Sequence, residues 1–183
     1  MNKYLRAVIC VPLAEIKYAI LKIGHRDRFS GKSPAIVSPM TEITVERGSS
    51  LHIGRKLKMH NGAKIRVRKR AEVKIGYNFG MSNGCVVTAY ENIQIGNDVM
   101  LGPNVLIYDQ DHDYNFEGGV KAMHFKTSPI VIGNNVWIAA NSIILRGSNI
   151  GDNAVIAAGS IVKGTVPANT LYLQKRSKEL IEI

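Results

Sequence analysis

From Pro129 to Thr165 the chain reads PIVIGNNVWIAANSIILRGSNIGDNAVIAAGSIVKGT, with large aliphatic residues at Ile132, Ile138, Ile144, Ile150, Ile156 and Val162. Each lies six positions after the last, and Gly133, Ala139, Gly151 and Ala157 directly follow four of them. A helix repeats about every 3.6 residues and a plain strand every two, so neither produces a period of six. A solenoid does. Each repeat then supplies one short strand whose aliphatic residue points inward, and a small residue follows where the chain turns a corner. The Asn residues of "GNN" and "GDN" suit such corners because Asn tolerates left-handed φ. The same register recurs at Ile95, Leu101 and Ile107.

Upstream the chain repeats itself less regularly. "ITVERGSSLHIG" at 43–54 matches "IRVRKRAEVKIG" at 65–76, and "IQIG" at 93–96 and "IVIG" at 130–133 repeat the ending. Internal repetition of short β-branched segments predicts an all-β, parallel β-helix prism with a core of Ile, Leu and Val. Before Ile75 the spacings suggest bulges or corner insertions. One segment, "YDQDHDYNFEGGVKAMHFKTS" at 108–128, is too polar and Gly-rich for a coil and is expected to protrude as a loop. Near the start, Leu13, Ile16, Ile20 and Ile23 sit at helical spacing, and Pro12 fits a first helical turn. This predicts an amphipathic helix over 12–24, with 3–11 a looser approach. Capping the end of the prism is its expected role. The rival is a membrane-surface anchor, since Lys3, Arg6, Lys17, Lys22, Arg26 and Arg28 surround the apolar face. The expected organisation is a helix and lead-in over 1–35, the β-helix over 36–170 with its loop, and a tail over 171–183.

Composition narrows the classes. The chain has 183 residues, 45% of them hydrophobic, which suits one domain with a sizeable core. Its net charge of +10 favours anionic partners. Cys10 and Cys85 are too few and too scattered for a disulfide framework or a Cys-based zinc site, so a reducing cytoplasm is the expected location. No apolar run approaches the roughly 20 residues that span a bilayer. The basic tip and short apolar patch at the start faintly suggest a signal peptide, but Glu15 and Lys17 follow the patch too soon. In "KIRVRKRAEVK" the inward positions are Ile65, Val67 and Val73, leaving Arg66, Arg68, Lys69 and Arg70 as a solvated face. That face suits an anionic glycan or membrane surface, at the inner side of the membrane, and no nucleic acid is expected as a partner.

"IGNDVMLGPNVLIYDQDHD" and the run from Pro129 to Thr170 together resemble the signature blocks of the left-handed β-helix, hexapeptide-repeat acyltransferases, closest to bacterial sugar and polysaccharide O-acetyltransferases. The resemblance covers about 75–170 strongly and 36–74 more weakly. It implies acetyl transfer from acetyl-CoA to a hydroxyl of a glycan such as a capsule or O-antigen precursor. It also implies a homotrimer with active sites between neighbouring prisms, and no metal.

Residue by residue, the resemblance puts His112 in the place of the catalytic histidine. A base titrating near neutrality can take the hydroxyl proton as oxygen attacks the thioester, then protonate the departing thiolate. Asp109, Asp111 and Asp113 flank it, and a nearby carboxylate would raise its pKa and orient the ring. Trp137 is implied at the site wall beside the thioester arm, although packing is the bland role for a Trp. Ala139, Ala140, Ala157 and Ala158 would let the pantetheine lie along the coil edge. Lys163, Lys175 and Arg176 are candidates for the phosphates and adenine of CoA. After Thr170 the chain departs from the family, reading "LYLQKRSKELIEI", and this weakens the case for the last two. Asn83, Asp111, Tyr114 and the loop around Phe116–Gly119 are the candidates for acceptor contacts. Two other readings of the same fold stand beside this one. A carbonic-anhydrase-like zinc enzyme needs three converging histidines, and here only His112 and His124 lie near the cleft. A catalytically inactive solenoid would serve as a binding module.

Overall fold

The computed structural model describes residues 3–175 and is a left-handed parallel β-helix closed at its N-terminal end by one helix. Three parallel sheets of seven, seven and six strands form the walls of a triangular prism. The first wall runs from Phe29–Gly31 to Thr165–Val166, the second from Ile36–Val37 to Leu171–Tyr172, and the third from Glu42–Val45 to Ile161–Val162. The solenoid thus takes in one strand on each side of 36–170.

The six-residue spacing has the predicted consequence. Ile132, Ile138, Ile144, Ile150, Ile156 and Val162 all point inward and are buried, stacking over one another from coil to coil. Burying an Ile or Val side chain is worth about 1.5–3 kcal/mol, so these three columns, one per wall, supply the main cohesion of the lower prism. Corner geometry follows the residue types. Asn135, Asn153 and Asn169 adopt φ near +55°, and their side chains form a ladder, Asn135 Nδ2 donating to Asn153 Oδ1 at 3.0 Å and Asn153 Nδ2 to Asn169 Oδ1 at 2.9 Å. At the corner between the first and second walls the coils approach so closely that a Cβ on Gly96 would sit 2.6 Å from the Gly133 oxygen.

Three expectations are corrected. The irregular register before Ile75 comes neither from bulges nor from corner insertions, since the corners there are as long as those lower down. The first and third walls there use four-residue strands with two inward positions, as in Leu51 with Ile53 and Ile65 with Val67, so each coil is longer. Leu51 stacks on Val73, whereas lower down Ile132 stacks on Ile150. The helix, α1, spans Lys3–His25 rather than 12–24, and Pro12 lies inside it instead of in its first turn. Pro12 is on the exposed side, where the carbonyl deprived of its N–H partner can turn to water. The helix does cap the prism, touching Phe29–Gly31 and Ile36–Val37. It does so through Cys10, Ala14 and Tyr18, while Ile16, Ile20 and Ile23 face outward. A helix crossing the flat end of a coil packs closest through small side chains. The Tyr18 ring lies where a Cβ on Gly31 would be, at 2.7 Å.

Candidate active site

The segment 108–128 protrudes where the chain passes from the third wall to the first, and its base is a two-stranded antiparallel hairpin of Gln110–His112 and Phe125–Thr127. His112 pairs with Phe125 across the hairpin, and their rings lie 4.6 Å apart. Phe125 also meets Tyr90 at 4.5 Å, and the Arg68 guanidinium lies 5.7 Å from the centre of the Tyr90 ring. The imidazole is exposed on an aromatic shelf and makes no hydrogen bond among the described residues.

None of the three neighbouring aspartates holds it, which corrects the expectation that they surround the ring. Alternation along a strand sends Asp111 and Asp113 to the face opposite His112. Asp111 accepts a 2.6 Å bond from Arg146 Nε. Asp113 pairs with Lys126 at 2.9 Å and lies 3.5 Å from His124 Nδ1. Lys126 holds the Asp113 carboxyl below its ordinary value, with help from the Asn115 amide. Asp109 is buried and accepts the backbone N–H groups of Tyr90, Glu91 and Asn92 at 2.7–2.9 Å. Burial pushes its carboxyl up, and the three amide donors oppose that rise. Asp109 is therefore the anchor of the hairpin. Tyr114 is exposed at the tip, and Phe116 stacks on His124 at 4.0 Å.

Trp137 stands on the outside of the second wall and is 54% exposed, so packing does not explain it. Above and below it the same wall presents Met100, Val155 and Leu171, an apolar ladder open to the outside. At the corner leading to the third wall sit Ala139, Ala140, Ala157 and Ala158. The amides of Ala139 and Ala157 bond Ile156 and Tyr172 within the solenoid. Those of Ala140 and Ala158 have no partner among the described residues and remain available to a ligand lying on this edge. The approach is close, since a Cβ on Gly102 would be 2.7 Å from the Ala140 nitrogen.

The other candidates divide between corners. Asn83 is at the alanine corner, nearer the helix, where it lines a hollow of about 480 Å³ with Cys10, Met40 and His60. Lys163 is exposed at the hairpin corner, one wall away from the alanines, because it follows a third-wall strand. Lys175 is exposed beside Gln174, whose side chain accepts the Ile161 amide. Arg176 lies outside the described residues. One chain thus gathers Asn83, Trp137 and the four alanines on one side, and His112, Asp111, Tyr114 and Lys163 on the other. Sequence reasoning missed Phe125 against His112, Tyr90 behind Phe125, and Arg146 holding Asp111. The alternating pattern of Gln110–Asp113 was the one available signal. Among the described residues no three His, Cys, Asp or Glu side chains are placed to share a metal ion.

The family model described as bacterial transferase hexapeptide (six repeats) matches residues 129–164, the run that forms the regular coils. Residues 129–164 thus carry the hexapeptide repeat that this model describes. A putative acetyltransferase of Schizosaccharomyces pombe is 37% identical to it over 111 residues, 61% of this chain and 53% of that protein. The galactoside O-acetyltransferase of Escherichia coli is 37% identical over 101 residues, 55% of this chain and 49% of that protein. The chain spans about half the length of these curated relatives. An N-acyltransferase from Bacillus cereus, solved with dTDP and 3-hydroxybutyryl-CoA, shares the fold with a TM-score of 0.64 at 18% identity, covering 83% of this chain and 80% of that one. A hexapeptide-repeat acetyltransferase from Vibrio cholerae, solved with acetyl coenzyme A, does so with a TM-score of 0.58 at 24% identity, covering 86% and 70%.

Proposed function

We propose that this hexapeptide-repeat protein is an acetyl-CoA-dependent O-acetyltransferase that modifies a hydroxyl of a sugar or polysaccharide. The observation that carries the reading is the unbonded, exposed imidazole of His112, set on a braced hairpin rather than a loose loop. In this role one ring nitrogen accepts the proton of the acceptor hydroxyl as its oxygen attacks the thioester carbonyl. As the tetrahedral intermediate collapses, the carbon–sulfur bond breaks and the same proton passes to the departing thiolate. The tilted ring of Phe125 packs against the imidazole and orients it, where a carboxylate would otherwise do so.

Trp137 and the alanine edge form the wall for the pantetheine arm, with the free amides of Ala140 and Ala158 as its hydrogen-bond donors. Lys163 and Lys175 are the described cations offered to the CoA phosphates, and Asn83, Asp111 and Tyr114 the groups offered to the acceptor. His112 leaves the prism at the corner opposite the wall that carries Trp137. That separation supports a site completed by a second copy, and hence a homotrimer in which each hairpin meets its neighbour's alanine edge. The reading places the enzyme in the cytoplasm at the inner face of a membrane, where glycan precursors are built, with no nucleic acid and no metal.

The test is incubation with acetyl-CoA and a panel of glycans, following free thiol and product mass. Thiol release with a matching gain of one acetyl group on a glycan is expected. Thiol release without an acetylated product, or none with any glycan, overturns the reading. In the same assay Trp137→Ala should weaken acetyl-CoA affinity while leaving the thermal midpoint nearly unchanged, because the ring is more than half exposed.

A further inference from the structure

We infer that the outward face of α1, with the arginine cluster at its end, docks on the surface of an anionic lipid bilayer. This deepens the reading of an enzyme at the inner face of a membrane by naming the surface and the lipid charge it meets. It rests on observations separate from the acetyl-transfer site.

The helix closes the prism with one side, held there by Lys17 Nζ bonding the Thr41 carbonyl and hydroxyl at 2.8 Å and by the Ser33–Glu15 hydrogen bond. Its opposite side is apolar. Ile16, Ile20 and Ile23 are 57%, 64% and 82% exposed, and Val8 and Ile9 continue the patch. At about 100° per residue, Ile9, Ile16, Ile20 and Ile23 fall opposite the buried Ala14. Between Val8 and Ile23 no charged residue occupies that side: Glu15 and Lys22 lie on its flank, and Lys17 turns to Thr41. A contiguous apolar patch of this kind marks a contact surface.

What covers it is indicated by the charge around it. The last turn of α1 carries Lys22 and His25. Directly beyond it, His25, Arg26, Arg28 and Arg47 line a hollow of about 530 Å³ in which Asp27 is the sole acid. None of the three arginines forms an ion pair among the described residues. A second copy docking on the same face would set this unpaired cluster against its own like charges. A bilayer carrying anionic headgroups offers the complement to both features at once, acyl chains for the isoleucines and phosphates for the arginines. No helix among the described residues is long and apolar enough to cross a membrane, so α1 would lie in the interface.

The experiment is co-sedimentation of the full chain with vesicles of phosphatidylcholine alone or mixed with phosphatidylglycerol, with no acyl donor or sugar present. Sedimentation with the mixed vesicles, weakened by salt, is expected, with little on phosphatidylcholine alone. The combined I16S, I20S and I23S variant, and separately the R26Q, R28Q and R47Q variant, should each lower partitioning about tenfold or more. These side chains are exposed, and circular dichroism checks that both variants fold. No binding to the mixed vesicles, equal binding to both kinds, or full binding by either variant overturns the inference. So does a change in oligomeric state of the isoleucine variant in light scattering, which would make the face a contact between copies. Acetyl transfer is read in a different assay, so either idea can fail without the other.

Discussion

The prism walls and the hairpin that leaves them are held together by different forces. In the walls the cohesion is apolar and repetitive: Ile138 sits on Ile156, Ile144 on Val162, and asparagine ladders seal the corners. In the hairpin it is polar and particular. Asp111 takes Arg146, Asp113 takes Lys126, and Phe125 is placed between Tyr90 and His112. Asp109, buried with three amides on its carboxylate, joins the two regions. The difference teaches a division of labour. A stack of interchangeable isoleucines gives rigidity without titratable groups, and the hairpin concentrates groups that can carry and exchange protons.

The largest effect should come from the walls. Ile156→Ala deletes a fully buried side chain between two coils and should cost about 2–5 kcal/mol, read as a cooperative loss in thermal or denaturant midpoint. A cost near zero would break the comparison. Asp109→Ala should come next, at about 1–3 kcal/mol, because three backbone donors lose their acceptor. Hydrogen exchange should show the amides of Tyr90, Glu91 and Asn92 opening while the lower coils stay protected.

A smaller effect should appear in acid, in the hairpin. The Asp113 carboxyl is held below its ordinary 3.8 by Lys126, so its folded-state pKa is depressed. Its stabilisation is present above the ordinary value and is lost as pH falls through the lower, folded one. Below about pH 4 the Asp113–Lys126 contact should loosen, seen as lower protection of the Asp113 amide bonded to the His124 carbonyl relative to its intrinsic exchange rate. Asp113→Asn should abolish that acid step.

The same contrast explains what could be read from residues alone. In the lower coils the six-residue spacing leaves each aliphatic side chain one direction to point, so the walls from Ile132 to Val162 were legible. Upstream, four-residue strands with paired inward residues such as Leu51 and Ile53 disguised the period as irregularity. For α1 the sequence offers two apolar sides, and spacing does not say which meets the prism. Small Ala14 permits the close approach that Ile16 would block. His112 was legible as a candidate, but its shelf was not, since Phe125 meets the ring only through the hairpin pairing and Tyr90 lies beyond Phe125. Lys163 was grouped with the alanines, and the structure puts it at another corner because it follows a third-wall strand rather than a second-wall one.

The central claim is that His112 moves the proton in acetyl transfer, and the turnover of His112→Ala on an acceptor found in the glycan panel tests it most directly. The account predicts a loss of about 10²–10⁴-fold in turnover. Acetyl-CoA affinity should be unchanged, because the imidazole serves the reacting hydroxyl and does not hold the cofactor, and the thermal midpoint should be nearly so, because the side chain is exposed. Near-full turnover by a correctly folded His112→Ala protein would contradict it.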